Sequence, residues 1–212
     1  MKEKIITIAH QKGGVGKSTI AFNLAVILKA NVIDLDVQET MTQVNELRKI
    51  QKLKGLNILK FSDHTDLQKY IENYKEKAPL IIDCGGFDSS FNNIAISLAT
   101  IVIIPVSDER IELLGLKKFQ LILENLSKIV NYKINSYVVF NKINPRTTIF
   151  RDLENFVKNT KTFEVLKSKI RKRVDISNSV PAGFSVVEYS PNSNASKEFL
   201  ELAEEVNFIL SN

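Results

Sequence analysis

The chain has 212 residues, 44% of them hydrophobic and 25% charged, with a formal net charge of +5. That length suits one α/β domain over residues 1–212, and the lone Cys84 excludes an internal disulfide or a multi-cysteine metal centre. The basic balance favours weak attraction to polyanions, and no apolar run approaches the roughly 20 residues of a membrane-spanning helix, so a cytoplasmic protein is expected.

A continuous apolar run at 5–9 opens the chain, followed by a stretch at 18–30 that is apolar nearly all round, as in a helix packed inside. Further runs fall at 32–35 and 58–61. Residues 65–77 are charged on one side, with Leu67, Tyr70, Ile71 and Tyr74 on the other. Runs at 80–83 and 101–106 come next, then a helical stripe of Phe119, Ile122, Leu126, Ile129 and Val130, then a run at 137–140. Runs rich in Ile and Val that do not alternate read as strands buried on both faces of a mainly parallel sheet. Their alternation with helices predicts a doubly wound α/β fold with helices on both faces. After about residue 161 the pattern loosens. Residues 179–196 carry the Pro, Gly, Asn and Ser of a loop, and a helix over about 195–210 closes the chain.

The first strand runs into His10-Gln11-Lys12-Gly13-Gly14-Val15-Gly16-Lys17-Ser18-Thr19, and a helix follows. This is the strand–loop–helix setting of a phosphate-binding loop. Its glycines let backbone N–H groups converge on phosphate oxygens, and the helix N-terminus adds its dipole. Lys17 is placed to neutralise the β and γ phosphates and Ser18 to ligate Mg²⁺, with Thr19 toward the α-phosphate. Gln11 stands where the common G-x-x-x-x-G-K-S/T signature has its first glycine, and a second lysine, Lys12, precedes the glycines.

This K-G-G-x-G-K-S/T run resembles the deviant Walker A motif of the partition and division-site ATPases that include ParA, Soj and MinD. The resemblance implies that Lys12 reaches across a dimer to the partner's nucleotide; the alternative is a solvated lysine acting within its own subunit. Asp34-Leu35-Asp36-Val37-Gln38 resembles the family's D-x-D-P-Q segment. The resemblance gives Asp36 the orienting or activating of the attacking water and Asp34 the support of the Mg²⁺ shell or the loop, although Asp34 could equally cap the next helix. The apolar run ending in Asp83 has the Walker B pattern, in which a strand-end carboxylate holds Mg²⁺ directly or through water. Cys84 reads as a small buried hydrophobe, and His10 as unremarkable.

The strand with Pro105, the strand ending in Asn141-Lys142 and the segment Gly183-x-Ser185-Val186-Val187-Glu188 resemble further parts of the same family. The resemblance makes Asn141 an adenine contact, against the alternative of a turn residue before Pro145. Lys167, Lys169, Arg171, Lys172 and Arg173 form the densest basic cluster. They fit either nonspecific duplex DNA binding through phosphates or an edge strand guarded by charge. In the last helix Phe199, Leu202, Val206, Ile209 and Leu210 form an apolar stripe opposite Glu198, Glu201, Glu204 and Glu205, a face that repels anionic lipid.

The family resemblance covers nearly the whole chain and, with no helix-turn-helix ahead of the loop, points to its short plasmid-partition branch. It implies a slow, Mg²⁺-dependent ATPase for plasmid or chromosome segregation. ATP would drive a homodimer onto nonspecific DNA of the nucleoid, and hydrolysis stimulated by a ParB-type adaptor would release it. The alternatives are a positioning ATPase for another cargo, such as a division site or chemotaxis cluster, and a metabolic ligase on the same fold.

Overall fold

Short runs of Ile, Val and Leu can be buried on both faces only if a sheet is covered on both sides, and that requirement organises the molecule. The structure, a computed structural model, describes residues 4–86, 89–108, 112–144 and 151–212, without the side chains of 151 and 154. The first half runs β1 (Ile5–Ile8), α1 (Lys17–Leu28), β2 (Asn31–Asp34), α2 (Thr40–Ile50), β3 (Ile58–Leu59), α3 (His64–Glu72), β4 (Leu80–Asp83) and α4 (Ser90–Ser97). The second half runs β5 (Ile101–Val106), α5 (Glu112–Val130), β6 (Ser136–Ile143), α6 (Arg151–Asn159), β7 (Glu164–Arg171), α7 (Val174–Ser179), a tight turn (Val180–Ala182), α8 (Val186–Tyr189) and α9 (Asn194–Ser211).

All neighbouring strands pair in parallel, in the order β3-β2-β4-β1-β5-β6-β7. Residues of α1, α2, α8 and α9 pack on one face through Phe22, Met41, Val186 and Phe199. Those of α3, α4, α5 and α6 pack on the other through Leu67, Ala95, Phe119 and Leu153. The chain steps from β1 out to β3 along the first face and returns along the second, which keeps its crossovers of one hand. Direction reverses beside β1 and β4, so their C-terminal ends flank the crevice where ligands bind in such sheets. The doubly wound architecture read from the sequence is thus the observed one.

Several local expectations need correction. On α5 the buried face is Leu116, Phe119, Leu123 and Leu126, whereas Ile129 is 78% exposed in the last turn. Residues 179–196 are not a plain loop. Gly183 ends the tight turn at φ 85, and Ser185 with Glu188 forms a capping box that starts α8. Glu188 also pairs with both terminal nitrogens of buried Arg48, at 2.7 and 2.9 Å, which fastens α2 to this segment. Within the family-like segment Gly183–Glu188, Glu188 thus has a packing role.

On α9 the apolar stripe is buried as expected, but Glu198 is only 5% exposed and does not sit on an outer face. The pairing of β7 with β6 slips twice, near 165–169 and near 170–171. Glu205 takes up the freed N–H groups of Lys167 and Ser168, and Glu198 that of Arg171. Two of the acids thus complete the backbone hydrogen bonding of an irregular edge strand. No helix among the described residues is long and apolar enough to cross a membrane.

Candidate nucleotide-binding site

The loop between β1 and α1 turns sharply because Gly14 and Gly16 adopt φ of 77 and 94, a left-handed conformation that costs glycine little. Gly16 caps α1 without any side-chain hydrogen bond to the first turn, which leaves those backbone donors for an anion. A Cβ on Gly16 would also stand 2.4 Å from Asn141 Nδ2. That amide donates to the Val15 carbonyl at 2.7 Å, and Lys142 Nζ donates to the Gly14 carbonyl at 2.7 Å. Asn141 therefore braces the loop from β6 while lining its cleft; Pro145, the other half of the turn reading, lies outside the described residues. Gly13 and Gly14 are exposed at the rim, Val15 is buried, and Ser18 and Thr19 stand half-buried at the start of α1.

Lys17 is 6% exposed and donates to the Lys12 carbonyl at 3.2 Å. Burial holds its pKa below the usual lysine value, countered by Asp83 and then Asp36. Lys12 Nζ meets Glu112 Oε1 at 2.5 Å, and the Lys12 N–H donates to His10 Nδ1 at 2.9 Å. His10 is 2% exposed and stacks on Phe119 at 5.6 Å. Burial, then the charges of Lys17 and Lys12, push its pKa down to about 4, so the ring is a neutral acceptor. Gly115 packs closely beneath it, since a Cβ there would come to 3.2 Å from His10 Cε1. Glu112 and the bracing role of His10 escape sequence reading, because their partners are remote or on the backbone. One signal existed: Glu112 lies on the buried stripe of α5, an acid among Leu116 and Phe119.

Asp34 and Asp83 are register partners at the ends of β2 and β4. Asp83 is fully buried and neither carboxylate oxygen has a hydrogen-bond partner. Burial raises its pKa to about 7; the nearby Ser18 hydroxyl, without meeting hydrogen-bond geometry, offsets part of this. Asp34 commits both oxygens locally, accepting from Asp36 N at 3.2 Å and from Thr42 N and Oγ1 at 3.2 and 3.1 Å. It anchors the turn that presents Asp36. Asp36 accepts from Gln38 N at 3.0 Å and lines an open cleft of about 440 Å³ with Gly13, Lys17, Ser18 and Gly86. Cys84 is buried, and burial pushes its thiol pKa up, in keeping with a packing role.

A second open cleft, of about 750 Å³, joins the loop at Gly13 and Thr19 to Asn141 and Ile176. Arg171, Lys172 and Arg173 line it too. Arg171 and Arg173 bond Glu198 at 2.8 and 2.7 Å. Lys167 and Lys169 are exposed on β7 and line neither cleft, and the Lys169 ammonium lies 5.9 Å from the Phe140 ring centre. The basic cluster read from the sequence is therefore divided between the cleft and the outer surface.

A glycine loop with an uncapped helix behind it, a buried lysine and an unpartnered buried aspartate define a P-loop nucleotide-binding protein. The chain belongs to the CobQ/CobB/MinD/ParA nucleotide binding domain family, whose model matches residues 6–184. It is 25% identical over 251 residues to the sporulation initiation inhibitor protein Soj of Bacillus subtilis, covering 96% of this chain and 98% of that one. It is 24% identical over 215 residues to the maintenance of carboxysome distribution protein A of Halothiobacillus neapolitanus, covering 97% and 94%. Among solved structures, a plasmid partition protein of Borrelia burgdorferi bound to AMPPNP superposes with a TM-score of 0.69 at 21% identity, covering 99% of both chains. The family is one of nucleotide-binding ATPases that includes partition and positioning proteins.

Proposed function

We propose that the protein is an Mg²⁺-dependent DNA-partition ATPase whose two copies pair around two ATP molecules. The observation that carries this reading is the pair of lysines, with Lys17 buried in the loop and Lys12 at its rim. Gly13, Gly14, Val15 and Gly16 hold the phosphates through backbone N–H groups, and Ser18 and Thr19 add hydroxyls. Ser18 and Asp83 form the metal side: hard oxygens fit Mg²⁺, and the unpartnered Asp83 oxygens call for a cation. When bound, Mg²⁺ neutralises charge on the β and γ phosphate oxygens. Asp36 orients the attacking water, Asp34 holds Asp36 in place, and Asn141 fixes the loop beside the base. Lys12 from the second copy stabilises the charge that develops on the transferred group.

Changing Lys12 to Gln tests the pairing. ATP binding should persist while pairing is lost and turnover falls by about a hundredfold or more, a loss typical for one electrostatic contact of the transition state. Unchanged turnover removes the trans role.

Nonspecific duplex DNA is the proposed cargo surface of the paired form, a ParB-type adaptor the stimulator of hydrolysis, and nucleoid association the consequence. Lys167 and Lys169 are its best-placed cations, being exposed on β7 and lining neither cleft. The likeness to a carboxysome-distribution protein keeps a second reading in view, in which the same switch positions another cargo.

A further inference from the structure

Lys12 is fixed at both ends. Its backbone N–H is held by His10 Nδ1 at 2.9 Å, and its ammonium by Glu112 Oε1 at 2.5 Å. Glu112 is 1% exposed, the Lys12 side chain 31%. Ser107 Oγ donates to the same Oε1 at 2.9 Å, whereas Oε2 has no hydrogen-bond partner. A carboxylate this deep is stable as an anion only with a cation beside it, and among the described residues Lys12 is the cation paired with it.

We infer that Glu112 is a catch that keeps Lys12 on its own subunit, and that two copies pair only when this ion pair opens. The inference rests on the trans role proposed for Lys12. With its backbone pinned to His10, the lysine reaches a neighbour by swinging its side chain. That swing strands a buried carboxylate, a cost that must be met by stronger negative charge at the destination. A triphosphate offers more charge than a diphosphate, so the catch biases pairing toward the ATP state. Glu112 is a positioning residue in this scheme; it does not touch nucleotide.

The experiment compares the protein concentration at which pairing occurs, by light scattering with a slowly hydrolysed ATP analogue. Glu112→Gln keeps the shape and the acceptor oxygen for Ser107 but removes the charge. It should pair at about a tenfold lower concentration, as expected when one partner of a buried ion pair no longer has to be abandoned. ATP affinity of the single subunit should stay within about twofold, since the phosphate contacts are untouched. The double variant Lys12→Gln/Glu112→Gln should lose the gain, which a merely structural effect of Glu112 would not require. If Glu112→Gln does not fold, Glu112→Asp shortens the reach and should shift pairing in the same direction. Unchanged or weaker pairing by the folded variant overturns the catch. Full pairing by Lys12→Gln alone would instead overturn the trans role beneath it.

Discussion

His10 and Asp83 are both buried near the C-terminal ends of β1 and β4, and their pKa values shift in opposite senses. The folded protein refuses the His10 proton down to about pH 4, whereas the unfolded chain takes it near 6.5. Between those values the unfolded state binds more protons, so stability from this residue rises with pH and is lost on acidification. Folded Asp83 keeps its proton up to about 7 against 3.8 in the unfolded chain, so stability from it falls as pH climbs through that window. The two limbs overlap and oppose each other, and the nucleotide-free protein should be nearly flat across them. Urea unfolding should show His10→Asn losing stability with rising pH and Asp83→Asn gaining it. Each limb is worth roughly 2–4 kcal/mol at most, from the size of the shifts. A His10→Asn profile that still rises with pH would contradict the assignment. At this scale the loop was legible because Lys12, Lys17 and Ser18 are adjacent in sequence and each follows from phosphate chemistry. Glu112 was not, because its partner Lys12 is one hundred residues away in sequence, and its one local mark, an acid on the buried stripe of α5, does not name that partner.

The strands were the legible elements. Residues 80–83 and 101–106 emerge with the expected bounds, since an apolar run with no alternation has few other places to go. Helices α2, α4 and α6 were not foreseen. On α2 only Met41 and Val44 supply apolar burial, beside the polar Asn45 and Arg48. The 179–196 segment misled for a related reason: its Pro, Gly and Ser read as a loop, yet they cap short helices held by a distant arginine. Gly183 shows how tight that junction is, since a Cβ would stand 2.7 Å from Arg48 N. Arg48→Ala removes one side of the pair with Glu188, so about 3–5 kcal/mol of stability should be lost, the usual cost of breaking a buried ion pair. Calorimetry of the variant checks this. A loss under about 1 kcal/mol would mean the pair behaves as a surface contact instead. ATP binding by the folded fraction should be unaffected, because Arg48 lines neither cleft.

Across the molecule, all the loop and carboxylate residues gather at the C-terminal ends of β1, β2, β4 and β6, with α9 and β7 closing one side. Sequence could place them there because doubly wound sheets put ligands at that edge. It could not divide the basic cluster, which depends on Glu198 drawing Arg171 and Arg173 toward the cleft. The proposed DNA surface is accordingly tested with Lys167→Ala/Lys169→Ala. Retention of the ATP form on unrelated duplex should weaken across sequences, and the slope of log affinity against log salt should flatten by about 1–2, one counterion per lost contact. An unchanged slope would remove these lysines from the interface.

In the proposed cycle ATP brings two copies together. Light scattering of the protein with ADP, then with a slowly hydrolysed ATP analogue, reads it directly. The mass of one chain with ADP and of two chains with the analogue is the predicted result. The mass of a single chain in both, at concentrations that saturate the site, would contradict it.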